Sequence, residues 1–197
     1  HGNAIFSRYP IRNAALIPID DGGEWFVRAP KNDGQHRVGG RMAIAAELET
    51  PNGPLAVAAV HYESESTPAT RGEQTRRMLA AMDGLYGDLP VVIGGDLNTA
   101  TLAADTHSRH QRLNEPQDDE PCFQIFAAHD YRWGDGNTGE TTTRHPPNRI
   151  IRHPHKTIDW LFVRGGRLFD PAVIPAVLDD DDYLSDHDMV AAYLSLS

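Results

Sequence analysis

The sequence has little cysteine: Cys122 is the only one in 197 residues. That excludes an intrachain disulfide framework and a cysteine-rich zinc site, and Cys122 itself reads as a small buried hydrophobe. It has no apolar run near the ~20 residues a membrane-spanning helix needs. It has no internal repeat and no Pro/Ser-rich linker, so residues 1–197 read as a single domain. It has no Gly-Lys-Ser/Thr after Gly94-Gly95, which argues against a phosphate cradle at a helix N-terminus. It has no long basic stripe and no aromatic ladder of the kind that binds single-stranded nucleic acid. Its first residue is His, opening directly on a strand-like run, so the expectation is a processed chain or a fragment, and localisation stays unknown.

What is present fits a globular protein with a core: 40% hydrophobic residues and 17 glycines. The net charge of −10 is concentrated in two clusters, Glu115/Asp118/Asp119/Glu120 and Asp179 to Asp182, and the other acids nearly balance the 18 bases. Both clusters read as solvated loops. The Asp179–Asp182 run lacks the alternating ligands and turn glycine of a calcium loop.

Along the chain, Asn3 to Phe6 reads as a strand, with Ala14 to Ile19 as its antiparallel successor. Gly22 to Gly40 reads as a polar loop. Arg41 to Glu49 and Leu55 to Val60 form a hairpin around Pro51-Asn52-Gly53-Pro54. Thr67-Pro68 starts a helix, with a capping box expected at Thr70/Glu73 and an apolar face of Met78, Leu79, Met82 and Leu85. Pro90 to Gly94 is a buried strand, Phe123 to Ala128 a short helix, and 130–156 a loop. Ile158 to Val163, Val173 to Leu178 and Met189 to Leu196 are strands. Hairpins mixed with few helices argue for an α+β sandwich over a doubly wound sheet.

Three short words carry the chemistry: Gly94-Gly95-Asp96-Leu97-Asn98, Ile158-Asp159-Trp160-Leu161-Phe162-Val163 and Ser185-Asp186-His187. Asp96 and Asn98 lie two residues apart where a strand runs out, so on extended backbone they face the same way. The Gly94-Gly95 pair leaves room for a close approach to the backbone. Taken alone, the pair also reads as an Asx turn. Asp159 sits within an apolar strand and must be paired or ligating, with a histidine as its natural partner. Asp186 and His187 diverge on an extended chain and can serve different partners. His61 ends the strand before Glu63. Read singly, each of these residues has a structural explanation. Together they place His61, Asp96/Asn98, Asp159 and Asp186/His187 at four strand ends, where ligands are expected.

These words, with Gly2-Asn3-Ala4-Ile5-Phe6-Ser7-Arg8-Tyr9-Pro10-Ile11, Val60-His61-Tyr62-Glu63 and Arg71-Gly72-Glu73-Gln74, resemble the endonuclease/exonuclease/phosphatase superfamily. The resemblance implies a four-layer α/β/β/α sandwich of the deoxyribonuclease-I-like type, here without its N-terminal strands and first helix. It implies metal-dependent cleavage of phosphoester bonds with Mg²⁺ or Mn²⁺. By position, His187 faces the scissile phosphate as general base or charged stabiliser, Asp159 orients and polarises His187, and Asp96 positions or activates the attacking water. Asn98 donates to a phosphate oxygen, Asp186 and Asp96 help hold the metal, and His61 lies on the leaving-group or phosphate side. The family's principal metal ligand is a Glu upstream of the Gly-Asn-Ala-Ile word, before this chain begins; Glu24, Glu47 and Glu49 stand in the wrong places to replace it. Poor activity is therefore expected of these residues alone.

Hard oxygen ligands without thiolates favour Mg²⁺ or Mn²⁺ over zinc. The segment Thr141 to Lys156 carries Arg144, Arg149, Arg152 and Lys156 with His145, His153 and His155, and no acid. It leads into Asp159, so it is expected at the rim of the site, with Arg144 and Arg149 as contacts for substrate phosphates. A proline-rich loop fixes three ligands poorly, which disfavours a three-histidine metal site. The expectation is a monomeric phosphodiesterase of nuclease type, with nucleic acid among its candidate substrates. A lipid or small-molecule phosphoesterase is the alternative, Trp25-Phe26 being a faint candidate for lipid insertion. A non-catalytic remnant of the same fold would have lost these His and Asp residues, and none is lost.

Overall fold

A computed structural model describes residues 2–21, 24–26, 36–38, 40–144, 154–179 and 182–196. In chain order the strands and helices begin β1 (Ile11–Pro18), β2 (Glu24–Phe26), β3 (His36–Val38), β4 (Met42–Thr50), β5 (Gly53–His61), α1 (Pro68–Tyr86) and β6 (Val91–Asp96). They continue α2 (Arg109–Asn114), α3 (Cys122–Ala128), β7 (Asp159–Arg164), β8 (Gly166–Ile174), β9 (Val177–Asp179), β10 (Asp182–Tyr183) and β11 (Met189–Leu196).

The main sheet has five strands in the order β1-β4-β5-β6-β7. All its pairs are antiparallel except β5–β6, which is parallel and joined by the crossover helix α1. Thr67 caps α1 by accepting from the Thr70 N–H at 3.2 Å, and Pro68 occupies the first turn. Thr70 therefore already lies inside the helix, and the capping box expected at Thr70/Glu73 does not form. Glu73 pairs instead with Arg76 and Arg77. Leu85, expected on the apolar face, is 55% exposed, and Tyr86 takes that place because it continues the stripe of Met78, Leu79 and Met82.

α1 and α3 pack against one face of the sheet. The core there combines small residues on β4 and β5 (Ala43, Ala45, Ala56, Ala58) with Ile93, Trp160 and Phe162 on β6 and β7. Phe126 stacks on Phe162 with ring centroids 3.8 Å apart, and Phe123 meets Trp160 edge-on at 4.8 Å. Cys122 is buried in this cluster, and burial pushes its thiol well above its ordinary value. β8 and β11 pair separately, with a bulge in β8 at Asp170-Pro171 opposite Ala192, where proline's missing N–H is tolerated. The result is a mixed α/β sandwich with open sheets.

Other expectations need correction. Asn3 to Phe6 is not a strand; Phe6 is 95% exposed, and β1 pairs with β4 instead. The expected loop Gly22 to Gly40 contains the β2–β3 hairpin. The expected strand Val173 to Leu178 is split at Pro175 between the end of β8 and β9. α2 is a helix that the expected element order lacks, although Ser108 and Gln111 form a capping box at its start. Glu120, read as part of a solvated loop, is fully buried against Arg71.

Candidate active site

The register of three adjacent strands builds the site. His61 pairs across to Asp96, and Asp96 pairs across to Asp159, so the three form one row at the same sheet edge. Neighbours in such a row sit about one strand spacing apart, ~4.8 Å. His187 is brought alongside by a bridge between Thr143 and His187. Its Nδ1 lies 3.1 and 3.0 Å from the two Asp159 carboxylate oxygens. His61 Nε2 lies 3.3 Å from Asp96 Oδ2. Asp96, Asp159 and His187 each offer one ligand atom, all within 4.8 Å of one another, a cluster capable of chelating a divalent cation.

The electrostatics follow from crowding acids and imidazoles at a half-buried edge. Asp96 is pushed up to about 7, first by burial and then by the Asp159 charge; the Asn98 N–H, His187 and Arg41 oppose the shift. His187 is raised to about 9, chiefly by its hydrogen bond to Asp159, with burial opposing. His61 is held below its ordinary value by burial and by the charges of Arg41 and His187, against the pull of Asp159 and Glu63. That shift favours the neutral imidazole in the 3.3 Å contact of His61 Nε2 with Asp96. A carboxylate forced toward neutrality beside a second carboxylate is a setting that a bound cation would relieve, and the O/N donor set suits a hard metal ion.

Asp96 and Asn98 come together differently from the expectation. Asn98 has a left-handed φ of 48°, and its backbone N–H donates to Asp96 Oδ1 at 2.7 Å. The pair is an Asx turn at the end of β6, not two residues on extended backbone. The Asn98 side-chain amide donates to the Tyr62 carbonyl at 2.9 Å, which engages one of its two N–H groups. Gly95 has φ 151°, and a Cβ there would lie 1.9 Å from the Val60 carbonyl oxygen. The close approach allowed by this glycine is therefore to the neighbouring strand.

The remaining predicted residues stand apart from the cluster. The Asp186 carbonyl accepts from the Arg144 backbone N–H at 2.7 Å, while its charge reaches His187 and helps raise it. The Arg144 guanidinium forks onto Asp188 at 2.6 and 2.7 Å, so the side chain expected on substrate phosphate holds its own sheet edge. Arg149, Arg152, His145 and His153 lie outside the described residues. His155 Nδ1 contacts the Thr143 carbonyl at 2.8 Å.

Other contributors had no signal in the sequence. Thr142 Oγ1 accepts from the Ile158 and Asp159 N–H groups, both at 3.2 Å, and so fixes the start of β7. Arg41 reaches Glu63 at 3.0 Å beside His61. Both are contacts between distant segments, invisible to spacing. Glu63 closes the Val60-His61-Tyr62-Glu63 word.

The family model described as the Endonuclease/Exonuclease/phosphatase family matches residues 1–187. No curated protein gives a match. Among solved structures, a conserved protein of unknown function from Enterococcus faecalis V583 aligns with a TM-score of 0.63 at 15% identity, covering 95% of this chain and 67% of that one. An endonuclease/exonuclease/phosphatase from Bacteroides vulgatus gives 0.62 at 18%, covering 96% and 67%. One from Beutenbergia cavernae DSM 12333 gives 0.60 at 19%, covering 96% of this chain but 46% of its own. At these identities the structural likeness speaks for the fold alone, whereas the family match runs unbroken through every strand end of the site as far as His187. On that match the chain belongs to the endonuclease/exonuclease/phosphatase family.

Proposed function

We propose that this chain carries a metal-dependent phosphodiesterase site of nuclease type, on a four-layer α/β/β/α sandwich of the deoxyribonuclease-I-like kind, acting as a monomer. Family membership and the Asp96–Asp159–His187 cluster support metal-dependent phosphoester hydrolysis. The observation that carries the reading is the grip of both Asp159 oxygens on His187 Nδ1, with Asp96 alongside. That grip leaves Nε2 for a reacting phosphate and favours the charged imidazole, which stabilises negative charge growing on non-bridging oxygens and leaves a cation to the carboxylates of the cluster.

Asp96 orients or activates the attacking water. The second N–H of the Asn98 amide donates to a phosphate oxygen, and His61 stands on the leaving-group or phosphate side. Asp96 belongs both to the ligand set implied by the family resemblance, with Asp186, and to the set given by geometry, so it is the first metal ligand proposed. When bound, Mg²⁺ or Mn²⁺ supplies Lewis-acid stabilisation of phosphate charge. Arg149 stays proposed as a contact for flanking phosphate. Arg144 does not, because Asp188 holds it.

The substrate class is tested by incubation with plasmid DNA, RNA, sphingomyelin and bis(p-nitrophenyl) phosphate in Mg²⁺ or Mn²⁺. The reading expects nucleic-acid cleavage to exceed sphingomyelin turnover and to stop with EDTA. Turnover of sphingomyelin without nucleic-acid cleavage would move the substrate to the lipid class. No turnover of any of them would sink the proposal.

A further inference from the structure

One buried ion pair stands next to the site without belonging to it. Arg71, on the first turn of α1, forks onto Glu120 with Nε to Oε2 at 2.9 Å and Nη2 to Oε1 at 2.6 Å. Arg71 is 1% exposed and Glu120 fully buried. The third guanidinium nitrogen donates to the Ser66 carbonyl at 3.2 Å. An apolar pair of similar volume could fill this space with equal or better stability, so a buried pair invites a question of what else it specifies. Here the second contact of the carboxylate answers it: Glu120 Oε1 also accepts from the Thr101 hydroxyl at 2.5 Å. Thr101 closes the tight loop that leaves β6 and carries Asn98.

The rest of that loop is held from other directions. Thr99 Oγ1 donates to the Thr157 carbonyl at 2.7 Å and accepts from the Trp160 indole at 3.0 Å. Asn98 itself leans on the Tyr62 carbonyl, and the Tyr62 hydroxyl meets Thr75 of α1 at 2.8 Å. Arg71 and Thr75 are one helical turn apart, and Thr75 Oγ1 bonds the Arg71 carbonyl at 2.8 Å. A single polar stripe of α1 therefore meets the Asn98 loop at two points: Tyr62, whose carbonyl Asn98 bonds, and, through Glu120, Thr101, three residues further along the chain. Asn tolerates φ 48° better than most residues, so what these contacts add is a fixed direction for the loop around it.

We propose that Arg71 and Glu120 are positioning residues: through the Thr101 hydroxyl they fix the Asn98 loop in the geometry that the phosphate site uses. The catalytic part of this inference rests on the phosphodiesterase reading; the positioning part does not. Thr101→Val removes the hydroxyl while keeping the shape, and Thr101→Ser keeps the hydroxyl. In ¹⁵N nuclear magnetic resonance of the full chain, without substrate, Thr101→Val is expected to shift the Asn98 side-chain and backbone amide signals, and Thr101→Ser to restore them. With bis(p-nitrophenyl) phosphate and Mn²⁺, kcat should fall about tenfold in Thr101→Val with KM within about twofold, and recover in Thr101→Ser. Asn98 signals unmoved in Thr101→Val, or equally moved in both variants, would overturn the positioning role, whatever happens to the melting temperature. Shifted and rescued Asn98 signals in a chain with no turnover would count against the phosphodiesterase reading alone.

Discussion

Asp159 governs the charge state of His187, and that dependence can be measured one residue at a time. The wild-type imidazole is expected to titrate near 9, and in Asp159→Asn to fall back toward its ordinary 6.5, read from the His187 ring-proton shifts. A group whose pKa is raised on folding adds stability below its unfolded value, and that stability is lost as pH rises through the folded value. Asp159→Asn should therefore cost about 1–2 kcal/mol at pH 6, discounted for the partial exposure of the ring, and close to nothing at pH 10. Asp96 gives the opposite lesson. Its pKa of about 7 also lies above the unfolded value, so the folded state is increasingly penalised as pH rises through neutrality. In EDTA, Asp96→Asn should melt above wild type at pH 8.5, by something on the order of 2–4 kcal/mol, with the gap narrowing toward pH 4. A wild-type chain at least as stable as Asp96→Asn at pH 8.5 would contradict the assigned burial.

The parallel pairing of β5 and β6 sets the site row, and Gly95 permits it. With φ 151° and the Val60 carbonyl where a Cβ would go, Gly95→Ala should cost more than ~3 kcal/mol in urea unfolding and lower activity with it. A loss under 1 kcal/mol would mean that the strands part more easily than the register implies. Elements with strong local signals were legible in the sequence: the Pro51–Pro54 turn between β4 and β5, the Thr67-Pro68 helix start, the apolar runs of β6 and β7. Elements that depend on a distant partner were not. Asn3 to Phe6 has strand composition but finds no ladder, and the Val173 to Leu178 run is divided by Pro175. At the site, the residue types at the strand ends were legible. The Asx turn of Asp96 and Asn98 is a local contact and was legible as one of two readings of that pair; that Arg144 forks onto Asp188 and that Thr142 braces Asp159 are products of tertiary packing with no local signature.

Over the whole molecule, composition described the charge only on average. Its acidic clusters hide a buried member, Glu120, whose partner Arg71 lies 49 residues earlier in the chain. The chain spans about two thirds of two of the solved relatives described above and 46% of the third, so the activities of those proteins do not transfer to it by likeness. What these residues do hold together is a row of His61, Asp96 and Asp159 across three strands, with His187 closing it. We propose that this row hydrolyses a phosphodiester with the help of a divalent cation. The most direct test is the rate of p-nitrophenol release from bis(p-nitrophenyl) phosphate in Mn²⁺, for wild type and for His187→Ala, each shown to be folded at the assay temperature. The account predicts a release, even if slow, that EDTA stops and His187→Ala abolishes. Release that persists unchanged in His187→Ala, or in EDTA, would contradict it.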